Sequence, residues 1–154
     1  MGTSIVCGVD GSNDSQAALD VAVSLADRLQ RRLVVAHVAE PAHIPHVAAA
    51  PFGSPAGRSA LLDEADSREQ AAKRLLDDVI STSGLVNADT RTAFGHPAER
   101  LADIADEVDA ELIVVGSRGR GAFKSALLGS VSTALVGIAR SPVLIVPPGA
   151  QAAS

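Results

Sequence analysis

The residues best suited to chemistry lie near the C-terminus, where the chain reads V-G-S-R-G-R-G-A-F-K-S-A-L-L-G-S-V-S-T from Val115. Gly116, Gly119 and Gly129 stand where a missing Cβ lets backbone approach an anion, and positive φ is expected there to turn N–H groups inward. Ser130, Val131 and Ser132 then open a helical pattern. The unpaired amides and dipole of such a start favour a phosphate, and the two hydroxyls add donors. Arg118, Arg120 and Lys124 surround the loop, either on phosphate or solvated. A plain punctuated turn explains any one of these glycines, but less easily all three before a Ser-rich helix start. Two familiar phosphate loops are excluded. Gly116-x4-Gly121 is followed by Ala122-Phe123 rather than Lys-Ser/Thr, and Gly8-Val9-Asp10-Gly11 lacks G-x-G-x-x-G.

Asp10 ends an apolar run. Its carboxylate either accepts from a sugar, a base or a cation, or shapes its own turn through the Gly11-Ser12 amides. His43 and His46 flank Pro45 without a cysteine partner, a weak pattern for zinc, so no metal site is expected in the protein itself. His37 and His96 read as structural. Cys7 is the single cysteine, within an apolar run, and reads as a small buried hydrophobe.

Five short apolar runs alternate with four helical patterns, the signature of a parallel α/β sheet covered by helices. Strands are expected over Ile5–Asp10, Leu33–Val38, Val86–Phe94, Leu112–Val115 and Pro142–Val146. The first helix carries Ala18, Val21, Ala22, Leu25, Ala26 and Leu29 on one face, with Asn13 and Gln16 at capping-box spacing. The second runs from about Ala60 to Ser83, the third starts at Pro97, and the fourth carries Val131, Ala134, Leu135, Ile138 and Ala139. Residues 39–59 hold four of the eight prolines and are expected to form a variable loop. Residues 148–154 read as a flexible tail of one domain spanning 1–154. Right-handed crossovers favour an open five-stranded sheet of order 3-2-1-4-5 with helices on both faces. Strands one and four are then neighbours, and ligands bind outside their C-terminal ends.

Composition narrows the function. No apolar run approaches the roughly 18 residues of a membrane helix, and the N-terminus has no secretory pattern, so a cytoplasmic location without membrane insertion is expected. With no Trp or Tyr, three Phe and a formal charge of -5, nucleic acid is not an expected partner. The charge is segregated: all 18 acids lie at or before Glu111, giving about -9 there and +4 beyond it.

Gly116-x2-Gly119-x9-Gly129-Ser130 resembles the G-x2-G-x9-G-(S/T) signature of ATP-binding universal stress proteins. Val9-Asp10-Gly11-Ser12, His37-Val38, Gly95-x-Pro97 and Pro142-Val143-Leu144-Ile145-Val146 extend the resemblance over nearly the whole chain. It implies a Rossmann-like fold with adenosine near Asp10, Val38 and Val115, and Val9 is a further expected nucleotide-binding residue. It also implies phosphates on Gly116, Gly119, Gly129, Ser130, Val131 and Ser132, with Arg118 beside them. ATP, alone or with Mg or Mn, is the implied ligand. A homodimer through strand 142–146 and an unidentified regulatory protein are the implied partners. No base is arranged beside a water-positioning group, so signalling with slow or no hydrolysis is expected rather than turnover. The alternatives are an adenylyl-transferring enzyme, for which H-x-G-H and S-G-G-x-D-S are absent, and a nucleotide-independent dimeric adaptor.

Overall fold

The computed structural model describes residues 2–41, 54–120 and 127–151. Its elements run β1 (Ser4–Gly8), α1 (Asn13–Leu29), β2 (Arg32–Ala39), α2 (Pro55–Ser83), β3 (Asp89–Phe94), α3 (Pro97–Glu107), β4 (Ala110–Gly116), α4 (Ser130–Ile138) and β5 (Val143–Val146). The five strands form one parallel sheet of order β3-β2-β1-β4-β5, as the alternating pattern predicts.

Burial follows the pleat. Along β1, Ile5 and Cys7 face α1 and α2, packing with Ala18, Leu19, Ala22, Leu76 and Val79. Val6 points the other way, into a second cluster with Leu101, Ile104 and Ala105 of α3 and Leu135 of α4. Because helices cover both faces, the central strands need apolar residues at every position, and every residue of β1 is buried. Cys7 is wholly enclosed; burial, aided by the charge of Asp20, pushes its thiol up to about 12 and keeps it unreactive.

The boundaries depart from the sequence reading at instructive places. Helix α1 is capped by Ser12, whose hydroxyl accepts from the Ser15 amide, so the cap lies one residue before Asn13 and the Asn13/Gln16 capping box does not form. Helix α2 begins at Pro55, not near Ala60: Ser54 caps it by accepting from the Gly57 amide, and proline suits the first helical position. The expected loop is shortened accordingly, and its residues 42–53, with His43 and His46, lie outside the described residues. Among the described side chains of α2, none before Ala72 is buried. Strand β3 starts at Asp89, opposite Val34, rather than at Val86, which is 89% exposed. Gly84 closes α2 in the left-handed conformation, and the chain reaches the sheet only five residues later.

Candidate functional site

Strands β1 and β4 are neighbours, but the chain leaves them toward opposite faces, to α1 from one and to α4 from the other. A crevice therefore opens at their C-terminal ends. It holds a cavity of about 490 Å³, within the range of small-molecule sites. Val9, Asp10, Val38, Val115, Gly116, Arg118, Gly119, Gly129, Ser130, Val131 and Ser132 all line it, joined by Glu40, Leu101, Arg120 and Leu128.

The three loop glycines serve close approach. None has positive φ, correcting that expectation; among the described residues, the glycines that do are Gly11, Gly84, Gly95 and Gly149. A Cβ on Gly116 would lie 2.7 Å from the Asp14 carbonyl carbon, and one on Gly119 would lie 2.8 Å from Asp10 Oδ2. At Gly129 it would press on the Arg118 Cα at 3.2 Å. The loop ends are also tied together: the Gly129 amide donates to the Ser117 carbonyl at 2.6 Å. The Ser132 hydroxyl donates to the carbonyls of Ser117 and Gly129, both at 3.1 Å. That hydroxyl is committed to the loop itself, so the part of Ser132 left for a ligand is its amide.

Helix α4 differs from α1 and α2 at its start. Those two have serine caps, whereas the N-cap of α4 is Gly129, with no side chain to accept from the first turn. Among the described residues, the amides of Ser130, Val131 and Ser132 thus lack intrahelical or side-chain acceptors, and all three residues line the cavity. An anion placed there would meet bare donors and the positive end of the helix dipole.

Asp10 takes the structural role weighed for it and adds a second. Its Oδ1 accepts from the Ser12 amide and its Oδ2 from the Arg120 amide, both at 2.9 Å, so one carboxylate joins the α1 turn to the glycine loop. Partial burial alone would raise its pKa, but the hydrogen bonds from Ser12, Arg120 and Ser15 outweigh it and hold the carboxyl below its ordinary value. His37 lies 2.8 Å through Nδ1 from the Val9 carbonyl, which can only accept, so the ring donates there and has the expected structural role. Among the described residues, no three His, Cys, Asp or Glu side chains converge as a metal site.

Asp14 was not legible in the sequence. From the first turn of α1 its Oδ2 accepts from Ser117 Oγ at 3.1 Å and from Arg118 Nε at 3.3 Å. These partners lie more than 100 residues away, and no local signal in one sequence joins them. On the other face of the sheet, a second cavity of about 860 Å³ lies between the start of α1 and α2, sharing Asp10, Glu40 and Arg120 with the first.

Comparison with known proteins gives a consistent result. The model of the Universal stress protein family matches residues 1–147. A universal stress protein of Thermus aquaticus is 34% identical over 143 residues, covering 92% of this chain and 96% of its own length. Among solved structures, the universal stress protein UspA of Lactobacillus plantarum superposes with a TM-score of 0.67 at 28% identity, over 94% of this chain and 97% of that one. Another, described as a universal stress protein in complex with cAMP, gives a TM-score of 0.64 at 27% identity, over 96% and 98%.

Proposed function

The chain belongs to the universal stress protein family, and from that premise we propose that it binds an adenine nucleotide, ATP foremost, in the cavity at the ends of β1 and β4. The observation that carries this reading is the N-terminus of α4, where three amides with no side-chain acceptor among the described residues line a cavity edged by the close-approach glycines of the preceding loop. Phosphates take the amides of Ser130, Val131 and Ser132 and lie along Gly116, Gly119 and Gly129, the Gly129 amide itself being held by the Ser117 carbonyl. The adenosine end takes the more apolar wall of Val9, Val38 and Val115, with Asp10 at its edge. A relative solved with cAMP supports an adenine ligand for the family's architecture. A divalent cation, Mg or Mn, would enter with the phosphates.

The protein acts as a cytoplasmic, nucleotide-responsive regulator with slow or no hydrolysis: ligand fixes the loop after β4, and a partner protein reads its state. Two copies pair through β5. Support for this comes from β5 lying at the sheet edge and from the exposed Val136 and Ile138 on the preceding helix α4, since open edges are normally paired or covered. ATP titration by calorimetry, with sedimentation of the same samples, tests both statements. Wild type is expected to bind ATP and to sediment as a dimer, while Gly129→Val loses the nucleotide and keeps the dimer. No detectable affinity at millimolar ATP rejects the ligand; a wild-type monomer at micromolar concentration rejects the pairing.

A further inference from the structure

The loop after β4 carries two arginines at the cavity, and they are held differently. Arg120 has no side-chain acceptor among the described residues, and its guanidinium lies along Gly11 beside Leu75. Arg118 is tied by one edge only. Its Nε donates to Asp14 Oδ2 at 3.3 Å, while its two terminal nitrogens have no protein acceptor among the described residues. Its carboxylate partner is well enclosed, with 13% of the Asp14 side chain exposed against 29% for Arg118.

Asp14 is itself fixed from two sides. Its backbone presses on Gly116, where any Cβ would collide, and Ser117 Oγ donates to the same Oδ2 that takes Arg118. The first turn of α1 thus grips three consecutive residues at the end of β4 and start of the loop. A guanidinium is a rigid fork with five N–H donors. Engaging it through Nε fixes its plane and leaves the outer donors for an acceptor in the cavity, at less entropic cost than ordering a free arginine on binding.

We propose that Asp14 is a positioning residue for the ligand site: it presets Arg118 as a phosphate-contacting fork and thereby favours nucleotides with longer phosphate chains. This rests on the nucleotide reading above. Asp14 touches no ligand; it acts through Arg118, so its effect must vanish when Arg118 is gone.

A double-mutant cycle tests this, with ATP, ADP and AMP titrated by calorimetry against wild type, Asp14→Ala, Arg118→Ala and the double variant. Asp14→Ala is expected to weaken ATP about ten-fold, the scale of one charge-assisted hydrogen bond, and AMP much less. In the Arg118→Ala background it is expected to change ATP affinity less than about two-fold. Asp14→Asn, whose amide oxygen still accepts from Ser117 and Arg118, recovers most of the ATP affinity. Arg118→Lys reads the same point without altering α1: lysine cannot be anchored by an inner nitrogen, so it should lose ATP nearly as Arg118→Ala does.

Equal losses with and without Arg118, equal losses for ATP and AMP, or an Arg118→Lys variant that matches wild type would each overturn the proposal while leaving nucleotide binding in place. A wild type that binds none of the three nucleotides removes the nucleotide reading and this inference with it.

Discussion

At the scale of single residues, Asp10 shows how one carboxylate can hold two segments far apart in sequence. Both oxygens are occupied by backbone amides, one from the α1 turn and one from the glycine loop. Asparagine would present an oxygen to one amide and an NH2 to the other, leaving a donor facing a donor. Asp10→Asn is therefore expected to cost about 1 kcal/mol at neutral pH, below the full value of a charged hydrogen bond because the group is partly exposed. The pH dependence follows from the direction of the shift. A carboxyl held below its ordinary value of 3.8 stabilises the fold above that pH, and the stabilisation fades as pH falls through the folded value. Urea unfolding at pH 7 and near pH 3 should show the gap between wild type and Asp10→Asn narrowing in acid; an unchanged gap would mean that the charge plays no part.

At the scale of elements, the meeting of β4 with the first turn of α1 sets the geometry of the crevice. Gly116→Ala would drive a methyl into the Asp14 backbone, which cannot swing aside as a side chain could. A loss of about 1–3 kcal/mol in urea unfolding is expected. Gly137, inside α4, has nothing within 4 Å of an added Cβ, so Gly137→Ala should stabilise by about 0.5–1 kcal/mol. The central strands were legible because burial on both faces leaves an unbroken apolar run, as in Ile5-Val6-Cys7 and Leu33-Val34-Val35-Ala36. The start of α4 was legible because Gly129-Ser130 interrupts one pattern and opens another. The start of α2 was not, since Pro55 reads as a breaker until Ser54 is seen capping it. Nor was the reason for the loop glycines: close contact with Asp10 and Asp14 is a tertiary fact, and a single sequence cannot separate it from a demand for positive φ.

At the scale of the whole molecule, the charge segregation along the chain becomes a spatial arrangement. Arg118 and Arg120, from the acid-free C-terminal portion, stand at the cavity, and Arg140 pairs with Asp106 of α3. The acidic excess is instead spread through the helices, about -2 in α1, -2 in α2 and -3 in α3, and the Glu64–Arg68 and Glu69–Lys73 pairs lie at the surface of α2. That helix has a further consequence. Its first 17 residues, Pro55 to Ala71, place no described side chain in the core, so about 25 Å of it draws its order mainly from its own turns. Short helices standing alone are marginal in water, and this stretch should open many times before the sheet does. Limited digestion with trypsin, followed by mass spectrometry, is expected to cut at Arg58 or Arg68 before any site in β1 to β2 or in α3. An early cut within those better-packed segments would show that the outer turns of α2 are braced after all. Whatever first grasps this protein, protease or partner, finds here a handle that can be unwound without disturbing the cavity at the ends of β1 and β4.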